Sequence, residues 1–262
     1  TWYVNLNFGG DDVTVEGVGG VGDVTLSGDM TGGASSLVYN SRPITASASV
    51  EQLTVRNLTL EEGQSSFNGG ALSAIEADVT LESVRIWDSF TSGDGGGVFV
   101  DGGSLTMINV VVTGNDAIGA GGGVFVEGSL DVWNSNYTDN HADNGGGVAV
   151  VGDAQFEGGV LTDNTAGEDG GGVWVQDGDL AAMDMTVEGN SAGDDGGGLY
   201  VRYGDLDLRT SAIHSNSAVD DGGGVRVYQG DAWMDRLEVS NNTASSRGGG
   251  ISVLKTGSVS VH

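Results

Sequence analysis

The sequence predicts an all-β fold in which short parallel strands stack into a solenoid. Three observations predict it. Glycine supplies 49 of the 262 residues, a glycine run recurs at a nearly constant interval, and a pair of alternating apolar residues follows each run. Self-similarity at a period of roughly 20–50 residues is typical of solenoids, propellers and repeat arrays. Alternation with a period of two residues is typical of strands, and no long segment has helical periodicity.

The glycine runs set the register of the repeat. A propeller blade would need four strands and roughly 40 residues or more, and leucine-rich repeats would show a leucine signature. Stacked coils, about 4.8 Å apart, instead let each strand pair in parallel with its equivalents and bury Val, Leu and Ile. The runs are Gly-Gly-Gly or, in the first copy, Gly-Gly-Ala, and they start at Gly69, Gly95, Gly121, Gly145, Gly170, Gly196, Gly222 and Gly248.

Each coil is predicted to contain three short strands. In the coil after Gly95 the first strand has Val98 and Val100 pointing inward, and the second strand has Leu105 and Met107. The third ends in an apolar residue three positions before an Asn-x-Ala triplet. Because parallel crossover connections are nearly always right-handed, we expect a right-handed parallel β-helix of about ten coils of 24–26 residues.

The chain is predicted to form one continuous domain with two parts. Residues 1–68 lack the glycine runs and are expected to form irregular N-terminal coils, whereas residues 69–262 are expected to form the regular β-helix. Solenoids need polar caps over their open ends, and the last coil has none in this sequence. We therefore expect the sequence to be a fragment of a longer protein.

Composition excludes several classes of function. The chain has no cysteine, so disulfides and thiolate metal sites are excluded. Its 37 acidic and 9 basic residues give a formal charge of −28, which opposes binding to nucleic acid and to anionic membranes. No run of about 18 apolar residues predicts a membrane span in this segment.

Acidic residues form columns at two turns of the predicted coil. Like charges about 5 Å apart repel by roughly 1 kcal/mol per pair, and Ca²⁺ binds carboxylates and carbonyl oxygens at such turns. Ca²⁺ is therefore the one candidate cofactor. The alternative is a solvated acidic surface in which Asp is used because it tolerates turns. The candidate ligands before the glycine runs are Asp169, Asp194, Asp195, Asp220 and Asp221. The second column is Asp153, Asp179, Asp205 and Asp231.

Aromatic residues recur at the middle, outward position of the first strand. Exposed rings of this kind bind sugars or anchor protein partners, whereas the alternative is that the rings stack on one another or lie beneath a loop. The candidate ligand-binding file is Phe99, Phe125, Trp174 and Tyr200, with Ala149 and Arg226 in the same column.

Asparagine recurs once per coil after the third strand. Stacked amides can hydrogen-bond to one another along a solenoid, so these residues are predicted to form an internal structural ladder. The ladder is Asn115, Asn140, Asn164, Asn190, Asn216 and Asn242.

The repeat resembles a known family. Leu161-Thr-Asp-Asn164-Thr-Ala166 followed by the run at Gly170 is similar to the FxxN and GGA(I/L/V) repeats of polymorphic outer-membrane proteins. It is also similar to bacterial right-handed parallel β-helix repeat proteins more widely. The resemblance covers about residues 69–262, with Val, Tyr, Leu or Ile in place of the Phe. It implies a surface-displayed or secreted passenger used in adhesion.

We therefore expect an exported, cell-surface or extracellular β-helix that acts as an adhesin or a rigid stalk. Its expected partner is a protein or glycan on a cell surface, or another copy of itself. A carbohydrate-active β-helix enzyme and a filament-forming or sheath-forming protein are the alternatives. The histidines His141, His214 and His262 fall in different columns, and the constant coil length leaves little loop for a catalytic cleft, so no enzymatic role is expected.

Overall fold

A computed structural model of the chain describes residues 2–3, 6–8, 12–18, 24–27, 44–47, 50–254 and 256–261. These residues form strands and turns. Within these ranges we find no helix with the length and hydropathy needed to cross a membrane.

The described residues contain 32 strands, and some of the longer ones continue around a corner of the coil. The first sixteen are β1 (Trp2–Tyr3), β2 (Leu6–Phe8), β3 (Val13–Glu16), β4 (Thr25–Ser27), β5 (Ile44–Ala46), β6 (Gln52–Arg56), β7 (Thr59–Glu61), β8 (Gln64–Ser65), β9 (Leu72–Ile75), β10 (Asp78–Glu82), β11 (Arg85–Trp87), β12 (Phe90–Thr91), β13 (Val98–Ile108), β14 (Val111–Thr113), β15 (Asp116–Ala117) and β16 (Val124–Thr138). The remaining strands are β17 (His141–Ala142), β18 (Val148–Val151), β19 (Ala154–Thr162), β20 (Thr165–Ala166), β21 (Val173–Asp177), β22 (Leu180–Glu188), β23 (Ser191–Ala192), β24 (Leu199–Tyr203), β25 (Leu206–Arg209), β26 (Ala212–His214), β27 (Ser217–Ala218), β28 (Val225–Asp235), β29 (Glu238–Ser240), β30 (Thr243–Ala244), β31 (Ile251–Val253) and β32 (Thr256–Val261).

Each regular coil has four faces, named A to D in the order in which the chain visits them after a glycine run. In the coil that follows Gly170, β21 forms face A, the first half of β22 forms face B, the second half of β22 forms face C and β23 forms face D. Strands on one face pair in parallel with the strands one coil before and one coil after.

The predicted parallel stack of inward valines is confirmed on face A. The column buries each of its members from Leu72 to Val225, and at most 2% of any of these side chains is exposed. Parallel strands bury apolar residues in this way only when every coil keeps the same register. The successive pairs are Leu72–Val98, Val98–Val124, Val124–Val148, Val148–Val173, Val173–Leu199, Leu199–Val225 and Val225–Ile251.

The interior is filled by side chains from all four faces. Tyr137 is the largest of the fully buried residues, and its ring meets that of Phe156 edge-on at a centroid distance of 6.4 Å. The Tyr137 hydroxyl donates a hydrogen bond to Sδ of Met107 at 3.1 Å. Burial raises the pKa of Tyr137 far above its ordinary value, so the phenol stays neutral in the core.

The glycine runs allow the coils to approach at one corner. Gly95 has a φ of +69°, a left-handed conformation that a side chain would strain. A Cβ added at the next residue, Gly96, would collide with the carbonyl oxygen of Gly122 one coil later. The period of the glycine runs therefore follows from a backbone contact that recurs once per coil.

The expectation of three strands per coil is wrong by one. Face D is a fourth strand of only two residues, and its eight copies form a separate parallel sheet. Sequence reasoning missed it because two residues are too few to show alternation: in the strand Thr165–Ala166 only Ala166 is buried.

The described residues give about eight complete turns with four faces, because face D has eight copies. Face A continues through β5 and β2 to ten strands, and some of these early coils are longer. Leu6 pairs with Ile44, and Val13 pairs with Leu53. Each of these two steps takes up roughly one and a half of the regular repeats that follow the glycine runs.

The six ladder asparagines lie in one column at the corner between faces C and D. In the first five, Nδ2 donates to Oδ1 of the asparagine in the next coil at 2.9–3.0 Å. The main-chain N–H of the same residue donates to that same Oδ1 at 2.9–3.1 Å. Nδ2 also donates to a carbonyl of the preceding coil, as from Asn164 to Tyr137 at 2.9 Å. All but Asn242 are buried.

The ladder continues beyond the residues that the asparagine pattern indicates. Ser89 is buried in the same column, and its main-chain N–H donates to Oδ1 of Asn115 at 3.1 Å. The Ser89 hydroxyl then accepts the N–H of Gly63 at 3.1 Å. A small side chain with one acceptor can therefore replace asparagine where fewer donors need a partner.

We expect Asn164→Ala to lower the free energy of unfolding by about 3 kcal/mol, because it removes the Oδ1 that accepts two buried donors of Asn140 and the Nδ2 that donates to Asn190 and Tyr137. Urea unfolding followed by circular dichroism measures the change. The matched control is Asn136→Ala, which removes an exposed asparagine with one hydrogen bond, to Val160. Equal losses in the two variants would contradict the ladder's contribution.

Candidate functional site

The acidic residues directly before the glycine runs form a second ladder along the solenoid. The main-chain N–H of Asp195 donates to Oδ1 of Asp169 at 3.1 Å, and that of Asp221 donates to Oδ1 of Asp195 at 2.8 Å. The same column begins at Asn68, whose Oδ1 accepts the N–H of Asp94 at 3.0 Å. One oxygen of each side chain thus binds the next coil, whether the side chain is a carboxylate or an amide.

The second acidic column makes the same contact at the turn between faces A and B. Its side chains are exposed, and Oδ1 of Asp153, Asp179 and Asp205 accepts the N–H of the aspartate in the next coil at 2.9, 2.8 and 2.7 Å. Aspartate is therefore used at this turn for local hydrogen bonds, and its charge lies at the surface.

Of the two interpretations of the aromatic file, the structure supports the one in which the rings stack and lie beneath a turn, and it contradicts the exposure that ligand binding requires. Phe99, Phe125, Trp174 and Tyr200 are 5%, 8%, 7% and 4% exposed and form a hydrophobic cluster outside the main core. The rings of Phe99 and Phe125 stack at 5.4 Å. The physical reason is the turn that leads into face A. It folds back over the outer side of the strand, so that a Cβ at Gly170 would lie 2.8 Å from Cβ of Trp174.

Arg226 occupies the aromatic column one coil after Tyr200, and only 3% of its side chain is exposed. Its Nε lies 3.4 Å from Oδ2 of Asp195, and its Nη2 lies 3.3 Å from Oδ2 of Asp221. Nη1 donates to the hydroxyl of Ser252 at 2.6 Å. The guanidinium is therefore a counter-charge for two covered carboxylates. The sequence signal for this role is an arginine in a column that otherwise holds aromatic or small residues.

Asp169 is the carboxyl group whose ionisation is most altered in this region. Burial is the main reason that its pKa is raised to about 6, and the charges of Asp195 and Asp194 act in the same direction. The hydrogen bond from Asp195 and the charge of Arg202 oppose the change. The pKa of Asp195 is raised as well, chiefly by burial. The half-buried Asp169 can thus hold a proton close to neutral pH.

The structure brings together three of the five predicted metal ligands. Asp194, Asp195 and Asp220 each offer a carboxylate oxygen, and the three oxygens lie within 4.8 Å of one another. Asp221 instead pairs with Arg226, and Asp169 bonds within the ladder. Oxygen ligands at this separation suit a hard cation such as Ca²⁺.

The histidines lie elsewhere. Nδ1 of His141 is 3.1 Å from Oδ1 of Asp116, and Nδ1 of His214 is 3.4 Å from Oε1 of Glu188. Both pairs are at least partly exposed, the first on face D and the second on face C. His262 lies outside the described residues.

We expect Asp169→Asn to stabilise the chain at pH 7 by about 1–2 kcal/mol, a value discounted because solvent screens a half-buried carboxyl. Asn keeps Oδ1 as the acceptor for Asp195, as Asn68 and Asn144 do in this column. The folded pKa of Asp169, about 6, is above its ordinary 3.8, so the parent loses stability as pH rises through this range.

The difference between Asp169→Asn and the parent should therefore shrink as pH falls from 7 to 4. Urea unfolding across that range measures it. The exposed Asp163→Asn is the charge-matched control and should show a smaller, flatter difference. A difference at Asp169 that does not depend on pH would contradict the raised pKa.

We expect millimolar Ca²⁺ to raise the melting temperature above that in NaCl of equal ionic strength, because a ligand that binds only the folded chain stabilises it. NaCl alone should also raise it by screening the aligned carboxylates. The increment due to Ca²⁺ should be lost in Asp194→Asn and kept in Asp163→Asn. A melting temperature indifferent to Ca²⁺ and to chelator would leave the acidic turn as a solvated surface.

Comparison with known proteins identifies the fold family. Residues 47–262 match a family model described as the right handed beta helix region. No curated protein and no solved structure matches the chain. The similarity to polymorphic outer-membrane proteins therefore stays a prediction from the sequence. The family match covers most of the chain, gives the hand that the sequence predicts and agrees with the parallel pairing of the coils. The chain belongs to the right-handed β-helix family.

Proposed function

We propose that the chain is a rigid β-helical rod of an exported protein and acts as a stalk at the cell surface or outside the cell. The observation that carries the proposal is the pair of side-chain ladders that run parallel to the main-chain pairing. From Asn115 to Asn242 every coil is bound to the next by a buried amide. From Asn144 to Asp221 it is bound also by a side chain before the glycine run.

Side-chain ladders that run along the rod axis make the rod resist bending. Bending the rod would stretch both ladders on its outer side, and the buried amides have no water to replace a broken bond. About eight turns at about 4.8 Å give a rod roughly 40 Å long. A stalk needs such length and stiffness and needs no reactive centre.

The surface charge favours a rod that stays separate over a filament built from many copies of the chain. At a formal charge of −28, two copies side by side would present carboxylates to each other. The FxxN-like repeats also support a place at the cell surface, because proteins with such repeats are displayed or secreted.

The structure removes the observation that favoured an adhesin, namely a row of exposed aromatic rings. These rings, Phe99, Phe125, Trp174 and Tyr200, are covered by the turns before face A. The enzyme alternative depends on a cleft built from long loops, whereas the steps between glycine runs are nearly constant. We therefore propose the stalk, and no catalytic role.

Removal of whole coils tests the rod. We expect deletion of residues 170–195, one whole repeat from one glycine run to the next, to leave a cooperatively folded chain, because Asp169 is then followed by the run at Gly196. X-ray scattering should show a rod shorter by about 5 Å. Deletion of residues 183–195 removes half a coil and should unfold the chain. Similar behaviour of the two deletions would contradict an axially stacked rod.

Antibody labelling of intact cells tests the location. An antibody against the purified chain should label cells of the source organism without permeabilisation, and brief protease treatment of intact cells should remove the label. Labelling that requires permeabilisation would overturn the surface proposal.

A further inference from the structure

The outer side of face B has a groove. Its lining residues are separate from the aromatic file on face A and from the acidic residues directly before the glycine runs. One part has a volume of about 160 Å³ and is lined by residues that include Gln155, Glu157, Met183 and Arg209. The second part has a volume of about 280 Å³ and is lined by residues that include Asp205 and Trp233. Ala181 and Asp207 line both parts, so the two are continuous. We call this the face-B groove.

The groove exists because one outward residue in the column is small. Gln155 pairs with Ala181, Ala181 with Asp207 and Asp207 with Trp233, so these four side chains follow one another along the rod. The methyl group of Ala181 is shorter than its neighbours and leaves a depression between them. Unlike face A, this face has no turn folded over it in the part of the chain that the structure describes: Ala181 and Trp233 are exposed.

The groove has large apolar side chains at its edges. Trp233 is 45% exposed and Met183 is 37% exposed. Tryptophan is one of the side chains enriched among residues that dominate binding. It can also attract a cation to the face of its ring.

Carboxylates follow the groove along the rod. Asp179, Asp205 and Asp231 lie in three successive coils, are exposed and line the part of the groove beside Trp233. Asp207 lies among them and binds Arg209, the only arginine among the described residues that line either part. Nε and Nη2 of Arg209 donate to the two carboxylate oxygens of Asp207 at 2.7 and 2.5 Å. The groove therefore has an excess of negative charge beside an aromatic ring.

We propose that the face-B groove binds an extended, basic segment of another protein, with arginine or lysine at alternate positions. The chain itself shows how its carboxylates hold guanidinium groups, at Asp207 with Arg209 and at Asp195 and Asp221 with Arg226. Three aspartates about 4.8 Å apart span about 10 Å, and basic side chains two residues apart on a strand are separated by about 7 Å. Two such side chains fit along the column, and a cation can reach the ring of Trp233.

Charge favours a foreign partner over a second copy of this chain. With 9 basic and 37 acidic residues, another copy would oppose the groove with charge of the same sign. A neutral glycan would gain the contact with Trp233 but no use of the carboxylate column. The inference goes beyond the stalk and does not depend on it, because a groove of this kind can bind its partner on a rod in any location.

A titration of the full chain with a defined peptide tests the proposal. The probe is a nine-residue peptide with arginine at alternate positions among glycine and serine, and the reference is the same peptide with neutral citrulline. Calorimetry at low salt should detect binding of the arginine peptide only. Trp233→Ala should weaken binding about tenfold, as expected for a desolvated cation on an aromatic ring.

The charge variants are chosen to leave the fold intact. Asp179→Asn with Asp205→Asn removes two charges from the groove and keeps both Oδ1 acceptors of the turn ladder. The matched control, Asp139→Asn with Asp163→Asn, removes two exposed charges from successive coils outside the groove. We expect at least a tenfold loss of affinity in the first pair and less than a twofold loss in the second.

Several outcomes would overturn the proposal. Equal losses in the two double variants would show attraction to net charge alone, and binding of the citrulline peptide would remove the role of cations. Failure of the arginine peptide to bind a chain whose melting temperature is normal would also overturn it. A neutral oligosaccharide that binds in a Trp233-dependent manner, where the peptide does not, would assign the groove to glycans. None of these outcomes bears on the coil deletions or on cell labelling, so the stalk proposal stands or falls separately.

Discussion

Axial pairing between residues one coil apart is the constraint on which the rest of the structure depends. Face A pairs Val148 with Val173 and Val173 with Leu199, and every other contact in the coil inherits that step. A side chain therefore meets its own equivalent above and below. Like residues must then be compatible with like: Val packs on Val, an amide can donate to an amide, and glycine permits the close approach at the corner.

The same constraint brings like charges together, because it aligns aspartates of successive coils in one column. Aspartates in one column cannot avoid one another, and the structure offsets their repulsion in three ways. Oδ1 of Asp195 accepts a main-chain N–H, Arg226 lies between two carboxylates, and the raised pKa of Asp169 favours its neutral form. Because the amide of Asn144 occupies the same column, the hydrogen bond requires an acceptor and does not require a charge.

The two sides of the rod differ because only one is covered. On face A the acidic turn folds over Trp174 and Tyr200, which turns a row of aromatic residues into a second small core. On face B no comparable turn among the described residues covers the strand, and Trp233 stays exposed beside the aspartate column. The row of aromatic residues that resembles a binding surface in the sequence therefore packs within the fold, whereas Trp233 on face B is exposed.

The sequence by itself determined the repeat, the parallel pairing, the inward valines and the column of asparagines, because each depends on contacts between residues one period apart. It did not indicate the two-residue strand of face D, since a single inward Ala166 carries no alternation. It also left open whether Trp174 is exposed or covered, because the period shows which way a side chain points and not what lies over it. The cover over face A, the position of Arg226 between Asp195 and Asp221, and the depression at Ala181 were decided only in the tertiary structure. Each results from the path of a turn or the relative size of neighbouring side chains, which three-dimensional packing sets and a repeat period does not.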